Sequence, residues 1–134
     1  MDKMKKILPD LGLLWLRILA GTGIAYHGYG KVFGGSIDKF AEGVASMGIP
    51  LPLFFAWAAA LSEFAGGICI VLGLFTRSAA LFLFVTMSVA AFIKHGDDPF
   101  RKKELALAYW TFAGAFICMG PGKFSLDHLI KTRK

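Results

Sequence analysis

Four runs of apolar residues, at about 11–29, 51–74, 78–93 and 105–120, constrain this chain more than anything else in it. Each approaches the ~20 residues that carry a helix across ~30 Å of hydrocarbon, the last two being on the short side. Hydrocarbon offers backbone N–H and C=O groups no partner, so such segments must satisfy their hydrogen bonds internally, as helices. Composition agrees with this. Of the 134 residues 56% are hydrophobic, and a mean hydropathy of +0.60 is more than so small a chain can hide within itself. With glycine counted in and tyrosine out the apolar share is roughly 66%, against about 45–50% for soluble domains. A water-soluble globule is excluded. The expected fold is an all-α membrane protein, a four-helix transmembrane bundle forming one domain over residues 1–134, with the lipid bilayer as its solvent.

The formal net charge of +6 does not point to nucleic acid, because of where the cations lie. Lys3, Lys5, Lys6, Lys31, Lys39, Arg77 and the basic residues of 101–103 and 123–134 all fall between apolar runs, at headgroup depth. Leaving out Arg17, eight Lys and Arg fall on the side of the two termini and six on the other. The positive-inside rule then places both termini in the cytoplasm. Basic residues before the first run also suggest a signal peptide, but Arg17 interrupts that run and favours a retained helix. Cys69 and Cys118 lie far apart in separate apolar runs, match no redox or zinc spacing, and read as small buried hydrophobes.

The connections are unequal. Residues 73–77 allow only a tight turn, whereas 31–50 are too long to stay structureless. Ile37, Phe40, Ala41, Val44 and Met47 follow the i, i+3, i+4, i+7 pattern after a Ser36 cap, predicting a short amphipathic helix in this first loop. It either lies in the interface, the plainer expectation, or folds over the bundle as a lid. Gly48, Pro50 and Pro52 stop it and start the second span. After Gly120, Phe124, Leu126, Leu129 and Ile130 interleave with Lys123, Lys131, Arg133 and Lys134 as a basic interfacial tail, whose plain role is anchoring to anionic lipid.

Two charges interrupt the apolar runs: Arg17 in the first and Glu63 in the second. Each costs about 2.5–3.5 kcal/mol at mid-membrane unless it is paired or wet. Small residues share their faces: Gly21 and Gly28 beside Arg17, and Ala56, Ala59, Ala60, Gly66 and Gly67 beside Glu63. Antiparallel helices place Arg17 about 9 Å and Glu63 about 16 Å from the same face, a gap the long arginine side chain can bridge, predicting an intramembrane ion pair that either fixes helix register or serves ligand binding and proton handling. A second polar group, His27, Lys31, His95 and Glu104, gathers at the opposite end with Asp97 and Asp98. Imidazoles among carboxylates can relay protons or bind a metal, but no diagnostic ligand spacing exists here, and no metal site is assigned.

The motifs HGYGK at 27–31, MGIPLP at 47–52, Glu63 with Gly66 and Gly67, GLFTR at 73–77 and GPGKFSLD at 120–127 resemble, in order and at the span boundaries, those of DoxX-family membrane proteins. The resemblance covers nearly the whole chain, with Phe124 standing where the family often has tryptophan. It implies a multi-pass bacterial or archaeal inner-membrane protein of four helices, and Arg17, His27, Lys31, Glu63, His95 and Glu104 fall where its polar positions are expected. The family takes its name from a small membrane subunit of a thiosulfate:quinone oxidoreductase, and some relatives associate with redox complexes or with assembly of other membrane proteins.

Three functions follow: an accessory quinone-handling subunit of a membrane oxidoreductase, a transporter or binder of a small apolar or anionic ligand, and a scaffold without chemistry. The sequence carries no haem, flavin or disulfide motif, so any cofactor is a diffusible quinone or belongs to a redox partner. No inverted repeat or broken helix of the transporter kind is visible. In the quinone reading Arg17 and His27 donate to carbonyl oxygens, Glu63 exchanges protons, and Tyr26, Tyr29 and Trp57 supply aromatic surface. Ala113, Gly114 and Ala115 offer a small-residue face for a homodimer or partner contact through the fourth span.

Overall fold

A computed structural model describes all 134 residues. Six α-helices follow one another: α1 (Asp2–Phe33), α2 (Ile37–Ser46), α3 (Pro52–Leu72), α4 (Thr76–Ser88), α5 (Phe100–Met119) and α6 (Leu126–Arg133). A π-helical stretch, Val89–Lys94, continues α4, and there are no strands. Three segments are long and apolar enough to cross a membrane: α1, α3, and α4 with its π extension. The fourth expected span is present as a helix, but Arg101, Lys102, Lys103 and Glu104 occupy its start and leave its apolar part short. The first helix begins well before the apolar run, at Asp2, and passes through Pro9. The proline ring forfeits only the bond to the Lys5 carbonyl, which lies on an exposed stretch where another partner is available.

Small residues set how α1 and α3 meet. They run antiparallel with backbones nearly touching: a Cβ on Gly21 would lie 2.9 Å from the Gly67 carbonyl oxygen, and one on Gly67 would lie 2.7 Å from the Ala25 nitrogen. At Gly28 a Cβ would strike the Phe64 backbone nitrogen. This is the small-xxx-small contact that gains from close packing where lipid supplies no hydrophobic drive.

Helices α4 and α5 form the second antiparallel pair. Phe84 stacks on Trp110 at 5.3 Å between centroids, and Trp110 Nε1 donates to Ser88 Oγ at 3.0 Å. Leu13, Ile24, Ile70, Leu83, Met87 and Phe116 fill the space between the two pairs. Within the small-residue stretch offered for a homodimer or partner contact, Ala113 is wholly buried and Gly114 faces Phe84, so these two residues pack within the chain. Cys69 packs against the core as expected, but Cys118 faces outward.

The amphipathic stripe of α2 behaves as its spacing predicts: Ala41 and Val44 bury against Ala56, ringed by Ile37, Phe40, Met47 and Ile49. Ser36 precedes the helix without capping it, its hydroxyl donating instead to the Gly30 carbonyl at 3.3 Å. The helix folds over one end of the bundle rather than lying apart from it, because its apolar stripe finds α3 as a partner.

Gly28→Ala is expected to destabilise the protein by about 1–3 kcal/mol, since the new Cβ meets rigid backbone. Gly12→Ala, with nothing within 4 Å of the new atom, is expected to be neutral or to stabilise by up to about 1 kcal/mol. Thermal unfolding of both variants in detergent checks the contrast.

Candidate functional site

Arg17 is 1% exposed, yet no carboxylate touches it. Its guanidinium donates from Nε to the Ile70 carbonyl at 2.9 Å and from Nη2 to that of Val71 at 2.9 Å. Nη1 reaches the carbonyls of Pro121 and Phe124 at 2.9 and 2.7 Å. The first two belong to the last turn of α3, at its negative dipole end, where the Val71 carbonyl has no backbone partner and that of Ile70 has only the Gly73 N–H at 3.2 Å. The other two belong to the turn between α5 and α6. A planar fork of five N–H donors suits four converging carbonyls in a way a lysine cannot. Bonds of this charged kind contribute about 1.5–3 kcal/mol each, enough together to offset the several kcal/mol that burying a cation costs.

Other residues of the GLFTR and GPGKFSLD motifs complete this clasp. Gly73 ends α3 at φ 68°, and a Cβ there would lie 2.8 Å from Arg17 Nη2 as well as against Ser125 Cβ. Phe75 follows in the left-handed region at φ 49°. That conformation costs a non-glycine residue about 1–2 kcal/mol. The Asp127 carboxylate holds it there, accepting from the Phe75 and Thr76 N–H groups at 2.8 and 2.9 Å, while the Asp127 N–H donates to the Gly73 carbonyl at 2.8 Å. Ser125 caps α6 by accepting from the His128 N–H.

The expected pair of Arg17 with Glu63 therefore does not form. Glu63, 3% exposed, accepts from Lys31 Nζ at 2.7 and 2.8 Å through its two oxygens. Seven residues separate Glu63 from Ile70 along α3, about 10 Å at 1.5 Å per residue, and each charge meets a nearer partner. The ion pair inside the bundle is thus Lys31 with Glu63, roofed by Phe40 of α2, whose ring centroid lies 4.5 Å from Lys31 Nζ.

This pair stands in the wall of a cavity of about 640 Å³ at the end of the molecule away from the termini. Of its 25 lining residues 17 are hydrophobic, so an occupant would meet apolar walls with a few polar groups. Four of the six residues singled out in the sequence line it: His27, Lys31, Glu63 and His95. Arg17 lies in the clasp instead, and Glu104 is exposed outside the cavity. Tyr26, Tyr29 and Trp57 do not line it either; Tyr109 of α5 does, edge-on to the His27 ring at 6.0 Å. Tyr109 was legible only as a polar handle inside an apolar run, the kind of group that seeks a partner when buried.

The π-helical stretch delivers Lys94 and His95 to the mouth, a widened turn of the sort that recurs at functional sites. His95 Nδ1 lies 2.7 Å from Asp98 Oδ2. This hydrogen bond, reinforced by Lys102 and Lys103, holds the Asp98 carboxyl below its usual range despite some desolvation. Gly96 is strapped in the same loop by Lys103 Nζ, which donates to its carbonyl at 2.8 Å.

Long apolar helices around a polar-floored cavity define a small helical membrane protein. The DoxX family model matches residues 12–96, and the chain belongs to that family. It is 33% identical to inner membrane protein YqjF of Escherichia coli over 97% of this chain and 99% of that one. It is also 35% identical to inner membrane protein YphA of the same organism, over 86% and 87% of the two chains. With the apolar helices, these relatives make it a bacterial inner-membrane protein. No solved structure matches it significantly.

Arg17→Leu and Arg17→Lys are both expected to cost at least about 2 kcal/mol, because two or more carbonyls lose their donor at about 1–3 kcal/mol each. Denaturant titration in detergent measures this, and loss under 1 kcal/mol for the leucine variant would contradict the clasp. A depressed carboxyl at Asp98 means that its contact is formed above the ordinary carboxylate range and is lost as pH falls through the depressed value. Exchange of the Asp98 amide, which donates to the His95 carbonyl at 3.1 Å, is accordingly expected to quicken beyond its intrinsic pH dependence in acid, and to be faster in Asp98→Asn than in the wild type at neutral pH.

Proposed function

We propose that this chain is a four-helix inner-membrane protein with both termini in the cytoplasm, whose cavity takes an amphipathic ligand of the quinone class from the bilayer. The fourth crossing is α5, held along α4 by Trp110 and Phe84. Its charged first turn then sits at headgroup depth, where Lys102 and Lys103 can snorkel. The orientation follows from the excess of basic residues on the side of the termini.

The observation that carries this reading is the set of polar groups left unspent along the wall of a largely apolar cavity. Lys31 and Glu63 satisfy each other, but the His27 ring and the Tyr109 hydroxyl make no hydrogen bond within the chain and face the same space. Both can donate to carbonyl oxygens of a headgroup, the exposed His27 ring from the rim and the half-buried Tyr109 hydroxyl from the wall. Glu63 and Lys31 beside them provide a place to hold or release a proton. The outer edge of the cavity is formed by Phe55, Phe82 and Val85, which are 42%, 65% and 56% exposed. Such an edge on the flank between α3 and α4 lets an apolar tail remain in lipid while the head enters. Electron supply then falls to a membrane partner, consistent with an accessory role in a quinone-linked oxidoreductase.

The test is gentle purification, organic extraction and mass spectrometry of the wild type and of His27→Ala with Tyr109→Phe. Neither side chain is hydrogen-bonded within the chain, so the double variant is expected to fold. Quinone should accompany the wild type in near-stoichiometric amount and fall at least tenfold in the variant. Recovery of phospholipid alone from both proteins would remove the quinone reading.

A further inference from the structure

At the other end of the molecule a second recess, a cleft of about 540 Å³, is lined by 11 residues of which one is hydrophobic. Arg77 of α4, Lys123, and His128 and Lys131 of α6 converge on it. Two carboxylates also stand in its wall, but both are spent on backbone amides. Asp127 accepts from the Phe75 and Thr76 N–H groups, and Asp10 accepts from the Lys123 N–H at 3.0 Å. The two salt bridges of the chain lie elsewhere, so Arg77, Lys123 and Lys131 have no anionic partner.

Two further features point to an oxyanion. Asp127 serves the first two amides of the α4 turn, leaving the next two, of Arg77 and Ser78, without a partner at a positive dipole end. Thr76 in the cleft wall is wholly buried, and its hydroxyl has no hydrogen-bond partner in the chain. What surrounds the cleft selects the source of that oxyanion. Phe75 is 67% exposed and Phe124 41%, and Leu129 and Ile130 on α6 are exposed beside Lys131 and Arg133. Apolar side chains alternating with cations at the rim place the cleft where acyl chains meet headgroups.

We propose that this cleft binds the phosphate of one anionic phospholipid, held by Arg77, Lys123, Lys131 and the first-turn amides of α4. This goes beyond diffuse attraction of a basic tail, since it requires a stoichiometric site to which α4 contributes, and it is independent of what fills the cavity at the other end.

Native mass spectrometry of the full chain released from detergent, with phosphatidylglycerol or phosphatidylcholine added, tests it. A single phosphatidylglycerol per chain is expected, in preference to phosphatidylcholine. Each surface cation is worth about fivefold in affinity, so Arg77→Gln with Lys131→Gln should weaken that adduct about thirtyfold. Both side chains are exposed, and Lys5→Gln with Lys6→Gln on exposed α1 residues is the charge-matched control expected to leave the adduct intact. Equal weakening in both double variants, or no weakening in either, would overturn the site. Inorganic phosphate that raises the melting temperature as much as the lipid does would overturn the lipid assignment.

Discussion

A buried guanidinium that has found carbonyls instead of a carboxylate organises this protein. Arg17 closes the last turn of α3 and the turn before α6 with one side chain, and thereby joins the beginning, middle and end of the sequence. The arrangement uses what the bilayer makes scarce. Carbonyls at a buried helix terminus have no water to turn to, and a buried arginine there has no water either. Each solves the other's problem, and the left-handed turn at Gly73 and Phe75 brings the two sets of carbonyls into one arginine's reach.

Fixing one end of the bundle in this way leaves the polar groups of the other end free for a different task. Glu63 meets Lys31 rather than Arg17, and the pair stands at the wall of a cavity beside two side chains whose hydrogen bonds are unspent. Tight α1–α3 contact through Gly21, Gly28 and Gly67 keeps that wall in place. The space itself opens where α2, α3, α4 and α5 surround a common volume, with α2 as its cover.

Much of this was written in the sequence. Long apolar runs announce helices because hydrocarbon permits little else, and the stripe from Ile37 to Met47 announces α2 because its spacing matches a helical face. Arg17 and Glu63 stood out because charges in apolar runs are costly. Their pairing was misjudged because about 10 Å along α3 separates Glu63 from the carbonyls that Arg17 reaches, with a nearer partner for each charge, and because backbone carbonyls, which every sequence contains and none displays, can replace an acid. The π-helical stretch that carries Lys94 and His95 to the cavity has no compositional mark, and Tyr109 looked like one aromatic residue among many. Ala113 and Gly114 are as consistent with packing inside the chain as with packing against another, and the place of Phe84 beside Gly114 is not legible in the sequence.

Separate roles for Arg17 and Glu63 are tested most directly by double-mutant cycles of unfolding free energy, pairing Arg17→Lys with Glu63→Gln and, in parallel, Lys31→Met with Glu63→Gln. Groups without a shared partner are additive within about 0.3–0.5 kcal/mol, whereas groups in contact couple by about 0.5–3 kcal/mol. The structure predicts additivity for the first pair and coupling of more than about 1 kcal/mol for the second. Coupling between Arg17 and Glu63 equal to or larger than that between Lys31 and Glu63 would contradict it.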